Sequence, residues 1–233
     1  MTGAEIQNLE NAALQLRVKF GLNESEAVHT KTILRKENII TMYKPLSDNA
    51  FGLSLKCADF RFMLINSNNT RGRQHFTIAH ELYHLYIEQH PKPHICNGAK
   101  SREEQYADVF ASAFLMPRSG VLSIIPSSEI ISAKISLATV IKLEQYFSVS
   151  RSAILIRLRQ MNVITEKYYK QLCEIAVQQS AKEYGYDLSL YERGNENLVI
   201  GDFGVLARQL FDEERISEGN YRELLNQISN EKD

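Results

Sequence analysis

The chain has 233 residues, of which 44% are apolar and 24% are charged, and this composition is typical of a globular protein with a substantial core. Its formal net charge is −1, so bulk charge gives no reason to expect a polyanion as partner, and any nucleic-acid contact would need a local basic patch. No apolar run approaches the roughly 20 residues that span a bilayer, and the N-terminus lacks a signal-peptide core. We therefore expect a cytoplasmic protein with no membrane partner.

Hydrophobic periodicity predicts an α+β fold that is mostly α-helical, with a small antiparallel sheet near its N-terminal end. A loop with two prolines separates the helices predicted over 76–88 and 102–115. A tight turn joins the helices predicted over 136–147 and 150–161. The predicted helices cover residues 3–20, 24–36, 76–88, 102–115, 136–147, 150–161, 166–183, 203–211 and 217–228. The predicted strands cover residues 39–43, 52–56 and 60–66, with two short candidates over 187–191 and 198–200.

The third predicted helix contains an HExxH motif, His80-Glu81-Leu82-Tyr83-His84. Residues i and i+4 share a helix face, so the His80 and His84 imidazoles can reach one metal ion. Glu81 projects beside that ion, where it can act as general base toward a water molecule at the metal. The alternative is a surface helix with two solvated histidines, but the apolar surroundings of the motif favour a buried helix.

A third ligand is available at the start of the next predicted helix. Glu104 lies 20 residues after His84, so two helices side by side can complete a site with three protein ligands and one open position. Asp108 shares the face of Glu104 and is expected to orient one of the two imidazoles. Glu103 points about 100° away and is interpreted as a solvated carboxylate near a helix N-terminus. Two histidines and a carboxylate favour Zn²⁺.

The sequence offers three candidates for stabilising the oxyanion of a tetrahedral intermediate, Tyr83, Tyr106 and His75, and it does not choose among them.

The three cysteines, at positions 57, 96 and 173, are far apart and form no CxxC pair. That pattern argues for a reducing compartment and against a zinc site built on cysteine.

The helices over 136–147 and 150–161 have the pattern of a helix-turn-helix. The second of them carries Arg151, Arg157 and Arg159 with no nearby acidic residue, as a DNA-recognition helix would. The alternative is a helical hairpin that packs in the core or grips a protein partner. Three arginines are few, because a strong DNA binder makes about six to ten phosphate contacts. We therefore favour a protein-docking or structural role over DNA binding.

Two segments resemble the ImmA/IrrE family of metallopeptidases. Residues 76–84, FTIAHELYH, are similar to the family's FTxAHELGH core, and residues 104–117 are similar to its ExxANxFAxxLLMP segment. Tyr83 stands in place of the family's glycine, Asp108 in place of its asparagine, and His75 in place of an arginine. These departures remove neither a ligand nor the base.

The resemblance implies a gluzincin-like zinc peptidase domain over residues 1–133, a helix-turn-helix over 134–165 and a C-terminal α/β segment, mainly helical, over 166–233. It also implies an endopeptidase with one Zn²⁺ that cuts a helix-turn-helix transcriptional repressor in response to stress or DNA damage. The small sheet would then pack on the active-site helix. The rival hypothesis is a non-catalytic regulator that binds DNA or a repressor and carries a structural zinc.

Overall fold

A computed structural model describes residues 1–58, 60–88, 94–96 and 101–227. The α+β, mostly helical class is confirmed. The helices are α1 (Gly3–Lys19), α2 (Thr30–Lys36), α3 (Arg71–Tyr86), α4 (Arg102–Leu115), α5 (Arg118–Ile124), α6 (Ser127–Ser132), α7 (Leu137–Phe147), α8 (Arg151–Gln160), α9 (Glu166–Cys173), α10 (Val177–Glu183), α11 (Phe203–Asp212) and α12 (Glu218–Asn226). The strands are β1 (Ile40–Lys44), β2 (Gly52–Cys57), β3 (Phe60–Asn66), β4 (His94–Cys96) and β5 (Val199–Ile200). Within the described ranges, no helix is both long and apolar enough to cross a bilayer.

The five strands form one sheet in the order β4-β2-β3-β1-β5. The sheet is mixed, whereas the sequence predicts an antiparallel one. A short connection makes β2 and β3 antiparallel, and β1 then adds beside β3 in the parallel direction, with Met42 opposite Leu64. β4 and β5 are antiparallel to their neighbours and lie at the two edges.

The core lies between the sheet and the two helices that carry the motifs. α3 packs against β2, β3 and α4, and α1 covers α4. α3 begins five residues before the predicted start at residue 76, because the Thr70 side chain caps it by accepting a hydrogen bond from the Arg73 N–H. The Arg17 guanidinium is fully buried and donates to the Phe114 carbonyl, which fixes α1 to the end of α4.

Several predicted elements differ from those observed. The predicted helix over 166–183 is two helices, α9 and α10, and the strand predicted over 187–191 contains a 3-10 helix, Ser189–Tyr191. The loop predicted between the motif helices contains β4, and the rest of that loop (residues 89–93 and 97–100) lies outside the described residues. The last predicted helix extends to Ile228, which also lies outside them.

Candidate metal centre

Three predicted ligands from two helices converge. His80 and His84 lie one turn apart on α3, with their Nε2 atoms 3.3 Å apart. Glu104, in the first turn of α4, places Oε2 3.4 Å from His80 Nε2 and Oε1 3.5 Å from His84 Nε2. All three side chains are buried. The packing of α3 on α4 therefore brings together groups that are 20 to 24 residues apart in the chain.

These separations fit one tetrahedral ion. Zinc binds histidine nitrogen and carboxylate oxygen at about 2.0–2.2 Å, and two such ligands at the tetrahedral angle lie about 3.3–3.6 Å apart. The three observed separations run from 3.3 to 3.5 Å, and Glu104 faces the two imidazoles with different oxygens, Oε2 toward His80 and Oε1 toward His84. Two imidazoles and one carboxylate also form the donor set of catalytic zinc sites, in which the fourth position admits water or substrate.

Each imidazole has a carboxylate on its far nitrogen. His80 Nδ1 lies 3.0 Å from Asp108 Oδ1, as the sequence predicts, and His84 Nδ1 lies 2.5 Å from Glu88 Oε2. With Nδ1 protonated and donating to these carboxylates, each imidazole would bind a metal ion through Nε2. Sequence reasoning missed Glu88, although its i+4 spacing from His84 was a usable signal.

The pKa of His80 reflects two opposing effects. Burial favours the neutral ring, but hydrogen bonds to Asp108, Cys96 and Glu104 outweigh it and raise the pKa well above the ordinary value. A metal ion that binds at Nε2 must therefore displace a proton, and metal affinity falls as the pH is lowered.

Glu81 is fully buried and directed toward the sheet. A Cβ atom built on Gly52 of β2 would lie 3.3 Å from Glu81 Oε1 and 2.7 Å from Thr77 Cγ2. Glycine is therefore required at position 52, because any side chain would press on Thr77 and crowd the carboxylate. The predicted general base thus packs against β2 of the sheet.

Cys96 was also missed by the sequence analysis. It is buried in β4, where it lies opposite Gly52 in the antiparallel register with β2. Ligand atoms of His80, Cys96 and Glu104 all lie within 4.8 Å of one another. Cys96 therefore joins the candidate ligands, although the cysteine pattern of the sequence argues against a zinc site built on cysteine. No CxxC spacing could reveal this, because strand pairing brings the thiol to the ligands.

Two of the three candidates for oxyanion stabilisation are held elsewhere. The His75 ring nitrogens lie 2.9 Å from the Ser148 carbonyl oxygen and 3.1 Å from the Val28 carbonyl oxygen, so this side chain links α3 to other loops. Burial lowers its pKa, partly offset by those carbonyls. The Tyr106 hydroxyl donates to Glu5 Oε1 at 2.6 Å, which directs it toward α1.

Tyr83 remains beside the centre. Its buried ring packs edge-on to the His84 ring, with centroids 5.3 Å apart, and lies 5.6 Å from the Phe110 centroid. Burial raises the pKa of its hydroxyl. The bulky residue at this position thus fills space between α3 and α4 and packs against His84, one of the predicted ligands.

The α8 arginines point mainly into the protein. Arg151 is buried against Glu144, and Arg157 is buried with Nη1 2.6 Å from Glu10 Oε1. Arg159 is partly exposed and lies 3.3 Å from a carboxylate oxygen of Glu166. A DNA phosphate cannot reach a buried guanidinium, so this helix offers one of its three arginines to a polyanion.

Replacing Asp108 with alanine is expected to weaken zinc binding about 10- to 100-fold, because the carboxylate no longer orients His80. Competition with a chromophoric chelator measures the affinity. Glu103→Ala is the matched control, since Glu103 is exposed on the same helix. Equal zinc affinity in both variants would contradict an orienting role for Asp108.

The sequence profile of peptidase family M78, the IrrE N-terminal-like domain, matches residues 35–159, more than half of the chain. No curated protein matches. Among solved structures, a Mycobacterium tuberculosis transcriptional regulator is similar, with a TM-score of 0.42 and 19% identity over 65% of this chain and 46% of the regulator. The matched part of this chain thus spans less than half of the length of that regulator. The profile match covers α3, α4 and α7, and by it this chain belongs to the IrrE N-terminal-like family of M78 peptidases, as its two motifs predict.

Proposed function

We propose that this protein is a zinc-dependent endopeptidase that hydrolyses a peptide bond in a protein partner. Membership of the family assigns it a metallopeptidase-type or regulator-related function. The observation that carries the proposal is the approach of the buried His80, His84 and Glu104 side chains, whose nitrogen and oxygen atoms lie 3.3 to 3.5 Å apart, with Glu81 on the same helix as the two histidines.

His80, His84 and Glu104 would hold the ion. Bound there, zinc would supply Lewis-acid polarisation of a substrate carbonyl and lower the pKa of a water molecule. Glu81 accepts a proton from the attacking water and passes it to the leaving nitrogen as the peptide bond breaks. Asp108 and Glu88 hold the imidazoles in the tautomer that this arrangement requires.

The sheet suggests how a substrate is held. β4 is the edge strand on the side of the metal centre, and its Cys96 lies at the ligands. An extended peptide that adds beside an edge strand gains main-chain hydrogen bonds, with side-chain pockets for specificity. We propose that the substrate is a helix-turn-helix transcriptional repressor, as the family resemblance implies, docked as a whole protein.

The second candidate is a non-catalytic regulator with a structural zinc. The position of Cys96 favours it, because structural zinc sites have four protein ligands and often include thiolates. The burial of Arg151 and Arg157 weighs against DNA as the partner of such a regulator.

Metal removal distinguishes the two candidates. Zinc-loaded protein is incubated with helix-turn-helix repressors, including any that is encoded beside its gene, and with a mixture of internally quenched peptides. We expect one discrete cut in the repressor, lost on chelation and restored when zinc is returned. If folded, zinc-loaded protein leaves both substrates intact, the peptidase proposal is wrong.

A further inference from the structure

The roles proposed for the three ligands and Glu81 do not explain why Cys96 lies beside His80 and Glu104. Its side chain is buried. It projects from the same face of the sheet as a Cβ atom on Gly52 would, since partners in an antiparallel pair point the same way. That face is the one against Thr77 and Glu81 of α3. The strand is anchored there, because the Phe51 N–H donates to the Cys96 carbonyl at 2.8 Å. The thiol is therefore directed at the metal ligands by the backbone of the sheet.

The distance to the ligands is short enough for coordination. Sγ, a His80 nitrogen and a Glu104 oxygen all lie within 4.8 Å of one another. Zinc binds thiolate at about 2.3 Å, so a thiolate and an imidazole on one tetrahedral ion lie about 3.6 Å apart. An approach of at most about 1.2 Å therefore brings the thiol within coordination distance of an ion held by His80 and Glu104. Thiolate is also a softer and stronger ligand for zinc than water.

We propose that the Cys96 thiolate is a fourth protein ligand that closes the metal site in the resting protein. The substrate carbonyl must displace the thiolate, which makes the peptidase latent. This regulatory part rests on the function proposed above, whereas the coordination itself does not.

The closing reaction balances without an oxidant or reductant. On closure the S–H bond of Cys96 breaks, its proton passes to solvent, a sulfur–metal bond forms and the water in the fourth position leaves. On opening, the sulfur–metal bond breaks, the thiolate takes up a proton, and the position becomes free for water or the substrate carbonyl. The two states are therefore in competition, and their ratio sets the fraction of active protein.

Cobalt substitution tests the coordination. Co²⁺ replaces Zn²⁺ in the full chain, and a thiolate ligand then gives a near-ultraviolet charge-transfer band. Cys57 and Cys173 are exposed, so the Cys57→Ala/Cys173→Ala double variant removes them and keeps Cys96. We expect the band in the wild type and in the double variant, and its loss in Cys96→Ser and Cys96→Ala. A wild type without the band overturns the proposal, whether or not the protein cleaves anything.

Activity tests the latency. If the thiolate occupies about nine-tenths of the sites, Cys96→Ala raises the cleavage rate about tenfold, and the double variant leaves it unchanged. If circular dichroism shows that Cys96→Ala folds poorly, Cys96→Ser replaces it in the activity assay. Loss of the band without any gain in cleavage overturns latency. A retained band in the double variant with no cleavage by any variant rejects the peptidase function and leaves Cys96 as the ligand of a closed structural site.

Discussion

Replacing Glu81 with glutamine is expected to lower peptide cleavage about 10²- to 10⁴-fold, the range that a general base contributes. The amide is nearly isosteric with the carboxylate but cannot accept the proton of the attacking water. Glu81 is fully buried beside Gly52, where a side chain of the same shape fits without rearrangement. Cleavage of a repressor or of the internally quenched peptides, followed by mass spectrometry, measures the loss.

The prediction also requires that the metal stays bound. Zinc content by elemental analysis is expected to remain one ion per chain in Glu81→Gln, because the three ligands are intact. Glu103→Gln is the control, an exposed carboxylate next to Glu104 whose loss should leave the rate unchanged. A Glu81→Gln protein that cleaves at the wild-type rate would rule out the proposed base.

Replacing Arg151 with alanine is expected to lower the free energy of unfolding by about 3–5 kcal/mol. Arg151 and Glu144 form a buried ion pair between α7 and α8, and Arg151 Nη2 lies 3.1 Å from Ser180 Oγ of α10. Removing the cation leaves Glu144 buried with a single neutral donor, Tyr191, whose hydroxyl lies 2.6 Å from Oε2. Urea denaturation measures the change.

The loss is expected to depend on pH. Burial raises the pKa of Glu144, and hydrogen bonds from Tyr191 and Arg151 oppose that rise. Without Arg151 the pKa rises further, so the folded variant holds the carboxyl neutral while the unfolded chain ionises near pH 4.3. Stability of the variant therefore falls as the pH rises above about 4.3 and recovers as the pH is lowered toward that value.

Arg159 provides the matched control on the same helix. Its guanidinium is partly exposed, and Arg159→Ala is expected to change stability by no more than about 0.5 kcal/mol. Arg151→Ala and Arg159→Ala with equal midpoints would contradict the structural role of Arg151. The comparison also tests the interpretation of α8, because a DNA-recognition helix would lose binding and keep its stability.

Local periodicity in the chain was enough to predict one part of the site. His80 and His84 share a face of α3, and Glu104 and Asp108 share a face of α4, because residues four apart in any helix do so. The helical conformation of both motifs and the α+β class were also predictable from the periodicity of apolar residues. When two neighbouring helices each have one face with predicted ligands, few packing arrangements bring those two faces together around one ion.

The surroundings of those predicted ligands depend on tertiary packing. Cys96 reaches them through the pairing of β4 with β2, a non-local contact that leaves no periodic signal in the chain. Arg151 and Arg157 contribute to the positive charge of α8, yet the packing of α8 on its neighbours buries both against carboxylates. Burial and strand pairing depend on surfaces that are distant in sequence, and a hydropathy pattern records only which residues can be buried, not which partner buries them.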